Sequence, residues 1–100
     1  MSGIDRMVMI VYNEVMDEEI MEMLGRCDVK NYTKIVGAFG KGASSGTHMG
    51  DDVWPGKNNI LHVACAREEA GKILSMVGVL RDRLGKEGVK AFLMPVEDVT

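Results

Sequence analysis

The apolar positions of this chain fall into four short runs, separated by two stretches with helical spacing. The first run, Arg6 to Tyr12, has β-branched residues on both alternating sides, which indicates a strand buried on both faces. Three further strands are predicted, from Tyr32 to about Phe39, from Asn59 to Ala66 and from Val89 to Met94. Pro95 stops the last of them.

Two segments repeat apolar residues at intervals of three and four, as amphipathic helices do. In the first, Asp17 is expected to cap a helix that runs through Leu24, with Gly25 as its stop. The second is predicted from Arg67 to Leu84. The order βαββαβ predicts an α+β, ferredoxin-like sandwich, in which two helices cover one face of an antiparallel four-stranded sheet.

A long polar segment, Gly37 to Asn59, separates the second and third strands and contains half of all the glycines. The chain of 100 residues is expected to form a single domain over positions 1–100. A loop of this length in a small domain is typical of a functional element. We predict an insertion over about residues 40–58, flanked by strands that form an extended hairpin.

The sheet pattern also predicts an assembly. Helices cover one face only, yet the first, third and fourth strands are apolar on both faces. Another copy of the chain is the expected cover for the second face, so we predict a homo-oligomer.

Charge and composition narrow the function classes. The 12 basic and 15 acidic residues give a net charge of −3, which disfavours nucleic acid and anionic membranes as partners. The apolar runs are too short to span a membrane, and the first residues contain no apolar signal region, so a cytoplasmic location is expected. Cys27 and Cys65 have no metal-ligand spacing and are expected to be free core thiols.

The chain lacks the residues that several functions found on this fold require. The third strand has no stacking aromatics for RNA, and the first connection has neither the cysteine pair of a soft-metal chaperone nor the anion-binding arginine of an acylphosphatase. That connection also lacks the glycine usual in amino-acid-binding ACT domains. Fold alone does not decide function.

Two segments carry a resemblance to a known family. Ile35 to Lys41, which reads IVGAFGK, resembles the end of the second strand in PII-type signalling proteins, where a Gly-x-Gly stretch opens the long T-loop. Lys90 to Val99, which reads KAFLMPVEDV, is similar to the PII strand that reads Lys-Ile-Phe, then apolar residues, then Pro-Val-Glu. The element order matches over nearly the whole chain.

The resemblance implies a homotrimer that takes part in nitrogen regulation and binds ATP or ADP in clefts between subunits. Ligand selects one conformation of the T-loop, which engages a target enzyme, transporter or regulator, and the protein itself is not an enzyme. The nucleotide-binding positions that the resemblance implies are Gly37, Gly40, Lys41, Gly88 and Lys90.

The chain departs from the family in three places. Glu87 and Val89 replace the glycines of the phosphate-cradling Gly-Asp-Gly-Lys loop, which is expected to weaken that cradle. The sequence stops at Thr100, before the C-terminal loop whose arginines neutralise the nucleotide phosphates in well-studied members. The long loop has no tyrosine, so uridylylation is not expected. These departures indicate a divergent, short member whose effector and partner the sequence leaves open.

A divalent metal is the alternative ligand. His48, Asp51 and Asp52 are close together in the loop, and imidazole with carboxylate suits zinc, nickel or cobalt. His62 in the third strand is either a hydrogen-bonded core residue or, on a threefold axis, a metal ligand supplied by three copies. The corresponding rival function is a trimeric metal-binding protein resembling CutA. A small enzyme on the same sandwich ranks last, because no convergent acid–base pair is found.

Two further loop residues are candidate contacts with a partner protein. Trp54 is expected to be costly in an exposed loop unless it packs on a neighbouring subunit, stacks on a ligand, inserts into a partner or packs on its own hairpin. Lys57 follows it and carries a positive charge.

Overall fold

The computed structural model describes residues 3–40, 57–85 and 88–100. Its elements follow the predicted order βαββαβ, with a short 3₁₀ turn after the first strand. They are β1 (Arg6–Asn13), the 3₁₀ turn (Glu14–Met16), α1 (Asp17–Arg26), β2 (Thr33–Phe39), β3 (Lys57–Cys65), α2 (Arg67–Leu84) and β4 (Val89–Pro95). The ferredoxin-like α+β fold is confirmed.

The four strands form one antiparallel sheet in the order β2-β3-β1-β4. β1 is central and pairs with β3 from Arg6 opposite Cys65 to Asn13 opposite Asn58, and with β4 on its other side. β2 lies at an edge and pairs with β3, so the predicted hairpin on either side of the long loop is confirmed.

The core lies between the sheet and the two helices. Alternate residues of the central strands and the apolar stripes of both helices are buried, as the period of two and the period of 3.6 require. These core residues include Val8, Ile10, Tyr12, Ile20, Met23, Leu24, Leu61, Val63, Ala70, Ile73, Val77 and Leu80. Cys27 and Cys65 are buried and free, as predicted, and burial raises the pKa of both thiols.

The start of α1 differs from the prediction. Asp17 is the first residue of the helix and does not cap it. Instead, the Oδ1 atom of Asn13 accepts a hydrogen bond from the backbone N–H of Val15 at 3.0 Å and so caps the 3₁₀ turn that leads into the helix. The carboxylate of Asp17 is therefore available for contacts elsewhere.

The end of α1 also differs. The helix passes through Gly25 to Arg26, and the left-handed residue that ends it is Asp28, with φ of 60°. The N–H of Val29 donates to the carbonyl of Leu24 at 3.0 Å and closes the turn. Aspartate tolerates this backbone conformation better than most residues, so a glycine was not required.

The sheet face turned away from the helices, here called the open face, is largely apolar, as predicted. Strand alternation and register assign to it Met7, Met9, Val11, Thr33, Ile35, Ile60, His62, Ala64, Lys90, Phe92 and Met94. In the single chain, Ile35 is 45% and Phe92 43% exposed. Among the described residues, no helix is long and apolar enough to cross a membrane.

Candidate ligand site at the loop end of the sheet

One end of the sheet, here called the loop end, gathers the strand termini that flank the long loop and the α2–β4 connection. The register sets Asn13 opposite Asn58, Tyr12 opposite Val89 and Phe39 opposite Lys57. α1 begins at this same end because it follows the end of β1. α2 finishes there because it leads into the start of β4. The glycines that the family resemblance names, Gly37, Gly40 and Gly88, thus lie at this end of the sheet.

Gly37 has a specific backbone role at this end. The pairing of β2 with β3 shifts register between Ile35 and Ala38, and Gly37 within this bulge has φ of 73°. A residue with a Cβ atom is strained there, so glycine is needed for the bulge whether or not a ligand binds. Gly40 follows the strand and lies beside Asn58 of β3.

Gly88 is required by packing. A Cβ atom at this position would lie 2.7 Å from the Sδ atom of Met16, which is itself buried. The carbonyl of Gly88 accepts a hydrogen bond from the N–H of Asn13 at 3.0 Å. Gly88 therefore joins the start of β4 to the 3₁₀ turn.

The residues after Gly88 face opposite sides of the sheet. Val89 is buried in the core opposite Tyr12. Its side chain thus fills the core, a role that the comparison with the Gly-Asp-Gly-Lys loop did not predict. Lys90 is exposed on the open face, with its Nζ atom 6.0 Å from the ring centroid of Phe92. Its ammonium group is accessible to an anion.

A polar network centred on the carboxylate of Asp17 lies between the start of α1 and the sheet. The Tyr12 hydroxyl donates to Oδ1 at 2.5 Å, and the Nζ atom of Lys34 lies 2.9 Å from Oδ1 and 3.1 Å from Oδ2. The side-chain amide of Asn59 also donates to Oδ1 at 3.3 Å. One carboxylate thereby contacts β1, β2 and β3.

The network shifts two ionisation equilibria. The hydrogen bond from Tyr12, followed by that from Lys34, lowers the pKa of Asp17 below its ordinary value. Burial, followed by the hydrogen bond to Asp17, raises the pKa of Tyr12 well above its ordinary value. Asp17 is thus held as an anion and Tyr12 as a neutral donor. No buried polar side-chain atom in the described ranges lacks a hydrogen-bond partner.

Sequence reasoning missed this network, although one signal was present. Lys34 and Asn59 occupy strand positions that face the helices, where apolar residues are expected. Lys34 pairs with the core residue Leu61, and Asn59 is itself buried. Polar side chains at inward positions of neighbouring strands require a polar partner, and the partly buried Asp17 supplies it.

The remaining predicted site residues are distributed as follows. Lys57, predicted as a loop contact, is the exposed first residue of β3 and lies directly after the loop. β3 begins before Asn59, where the sequence predicted its start. The insertion predicted over about residues 40–58 therefore overlaps the first residues of this strand. The candidates outside the described residues are Lys41, His48, Asp51, Asp52 and Trp54.

His62 lies on the open face and is partly exposed, between Met9 of β1 and Thr33 of β2. It is not in the core of the single chain, because its position alternates with the buried Leu61 and Val63. Within the described part of the chain, no group of three or more His, Cys, Asp or Glu side chains could hold a metal ion.

Tyr12→Phe is expected to lower the unfolding free energy by about 1–2 kcal/mol at neutral pH, because a hydrogen bond to a charged group is lost. Since the folded pKa of Tyr12 is raised, its stabilising contribution is complete below its ordinary pKa and decreases as the pH rises above it. The difference between wild type and Tyr12→Phe should therefore shrink above about pH 10.

Urea unfolding between about pH 7 and 11.5, a range that brackets the ordinary tyrosine pKa, measures this difference. Tyr32→Phe is the matched control, since Tyr32 is 46% exposed and its hydroxyl should contribute little to the unfolding free energy at neutral pH. A wild-type advantage over Tyr12→Phe that stays constant across this range would contradict the assigned burial of the neutral hydroxyl.

Solved structures of PII-like proteins share this fold. A protein described as a PII-like signalling protein, from Thermus thermophilus, is 25% identical with a TM-score of 0.64, over 92% of this chain and 85% of that chain. The apo form of CPII from Thiomonas intermedia, a nitrogen regulatory PII-like protein, is 16% identical with a TM-score of 0.65, over 92% of this chain and 90% of that chain.

CPII has also been solved bound to ADP, AMP and bicarbonate, and that structure matches with a TM-score of 0.62 and 18% identity, over 92% of this chain and 93% of that chain. No curated protein sequence matches the chain significantly. The profile of the family described as nitrogen regulatory protein P-II matches residues 6–100. That match includes every helix and strand described above, and the chain therefore belongs to the P-II family.

Proposed function

We propose that this protein is a PII-like regulator that binds an adenine nucleotide between subunits of a homotrimer and controls a partner protein through its long loop. The observation that carries the proposal is the family match over residues 6–100. Two CPII structures, which contain ADP and AMP with either bicarbonate or acetate, favour an adenine nucleotide as the first ligand to test.

The geometry of the loop end supports a site between subunits. Gly37 lies in β2 and Gly40 directly follows it, at one edge of the sheet, whereas Gly88 and Lys90 lie at β4, the opposite edge. Three strand spacings separate these edges by about 14 Å, so a nucleotide phosphate cannot contact both groups in one chain. A second copy that sets its β2 edge beside the β4 edge of the first would bring the two groups together.

The open face supports assembly for an independent reason. Its apolar side chains, including the half-exposed Ile35 and Phe92, are covered by no element of the single chain that the structure describes. Burial against a second and third copy would remove this apolar surface from water. The trimer thus accounts for both the ligand cleft and the open face.

The proposed output is a contact with an enzyme, transporter or regulator in the cytoplasm, made through the loop between β2 and β3. Trp54 and the exposed Lys57 are the proposed contact residues. The proposal gives the protein no catalytic step. Ligand binding acts only through its different affinity for the loop conformations that the partner distinguishes.

ADP is expected to raise the melting temperature of the purified protein, because a ligand that binds only the folded state stabilises it. Lys90→Ala should weaken ADP binding about tenfold, since a charge-assisted contact with phosphate is lost. Isothermal titration calorimetry measures the affinity of both proteins. Lys72→Ala removes an exposed lysine from α2 and serves as the matched control.

Two results would contradict the proposed site or its ligand. Equal ADP affinity in Lys90→Ala and wild type would remove Lys90 from the site. Stabilisation by zinc, nickel, cobalt or copper without any response to ATP, ADP or AMP, lost in His62→Ala, would favour a trimeric metal-binding protein instead.

A further inference from the structure

The Asp17 carboxylate makes polar contacts from the start of a helix to two neighbouring strands. Asp17 begins α1, Lys34 lies in β2 and Asn59 lies in β3. The last two residues are in the strands that lead into and out of the long loop. The contacts from Lys34 and Asn59 to Asp17 therefore connect both flanking strands to the helical layer.

β2 has few other means of attachment. It is an edge strand that pairs with β3 alone, and the bulge between Ile35 and Ala38 interrupts that pairing. Only Lys34 and Ala38 of its residues are partly buried, and the rest are exposed. With so little apolar burial within its own chain, β2 is held there by its pairing with β3 and by the ion pair between Lys34 and Asp17.

The 3₁₀ turn that precedes Asp17 also contacts β4, the edge strand opposite β2. Just before Asp17, the N–H of Asn13 donates to Gly88, and the Met16 thioether packs against that glycine. Residues 13–17 thus contact the glycine at the start of β4 and, through Asp17, strands β2 and β3. This short stretch lies between the two groups of proposed nucleotide contacts.

We propose that Asp17 is a positioning residue: its carboxylate fixes the start of β2 and the loop-flanking end of β3 relative to the turn that holds Gly88. It thereby keeps both edges of each chain in the arrangement that binds nucleotide, without contacting the ligand itself. The ligand part of this proposal rests on the proposed function, whereas its effect on β2 does not.

Amide hydrogen exchange of the ligand-free protein tests the positioning of β2. Asp17→Asn keeps the shape of the side chain but removes the charge that pairs with Lys34. We expect peptides covering β2 to exchange about tenfold faster than in wild type, with α2 and β4 unchanged. Glu18→Gln is the control, because it removes one negative charge from the neighbouring, exposed position of α1.

A second variant covers the case in which Asp17→Asn fails to fold. Lys34→Met removes the contact from β2 while leaving Asp17 with Tyr12 and Asn59, and it should speed the exchange of β2 to a similar degree. Combining it with Asp17→Asn should add little, because both substitutions break the same contact. Equal acceleration in all elements, or none in β2, would overturn the proposal.

ADP affinity tests the functional consequence at a temperature where every variant is folded. Asp17→Asn and Lys34→Met should weaken ADP binding by about five- to tenfold, and Glu18→Gln should leave it unchanged. Faster β2 exchange with unchanged ADP affinity would overturn the positioning role. If wild type itself does not bind ADP, the proposed function fails, and the exchange result alone decides whether Asp17 fixes β2.

Discussion

Ile60→Glu is expected to convert the proposed homotrimer into single chains. Ile60 lies on the open face, with Val11 of β1 and Ile35 of β2 opposite it in the register. An assembly that covers this face would bury the new carboxylate without a partner, at a cost of several kcal/mol per chain. The same side chain in the separate chain stays in contact with water.

Light scattering at micromolar concentration measures this effect. Wild type should have three times the chain mass of 11.0 kDa, and Ile60→Glu should have the mass of one chain with an unchanged circular dichroism spectrum. Val79→Glu is the control, because Val79 is 54% exposed on α2 and should leave the trimer intact. A wild-type mass of a single chain, or a trimer that survives Ile60→Glu, would contradict the proposed assembly.

Leu61→Ala, one position further along β3, is expected to destabilise the fold itself by about 2–5 kcal/mol. Leu61 is fully buried on the face that the helices cover, between Ile10 of β1 and Lys34 of β2 in the register. Removing its branched end leaves a cavity that the neighbouring strands cannot close, because both are held by backbone hydrogen bonds. The change is a large part of the total stability of a small domain.

Leu84→Ala is the matched substitution outside the core. Leu84 is the last residue of α2 and is 42% exposed, so its truncation should cost less than about 1 kcal/mol. Urea unfolding at one fixed protein concentration allows the comparison, since the stability of an oligomer depends on concentration. Equal losses of unfolding free energy in the two variants would show that the side chain of Leu61 does not lie in the core as described.

Together these substitutions distinguish the two faces of one strand. Ile60 and Leu61 are neighbours in the sequence, yet the first should change the mass of the particle and the second the stability of the chain. This contrast follows from strand alternation, which the apolar pattern already indicates.

Local periodicity explains why the elements could be predicted. Arg6–Asn13 and Arg67–Leu84 have nearly the expected bounds, because a period of two or 3.6 is visible within a few turns of chain. The start of α1 was misassigned because Asn13 and Asp17 are both good capping residues. Only the structure shows that Asn13 makes the capping hydrogen bond while Asp17 faces the sheet.

The candidate site was predicted in part. The glycines of the family resemblance are at the loop end, but Gly37 serves a bulge and Gly88 makes room for Met16. Their presence is explained by the fold before any ligand is considered, so they are weaker evidence for a phosphate site than the sequence suggested. Lys90, which is exposed near the start of β4, is still available to bind a phosphate group.

The amino-acid sequence by itself determined the order of strands and helices, the residues that face the core and the apolar character of the open face. Each of these depends on contacts that repeat along the chain at short range. The tertiary structure decided that Asp17 contacts Lys34 and Asn59, which are 17 and 42 positions away. Such a meeting depends on strand order and register, which no local pattern contains.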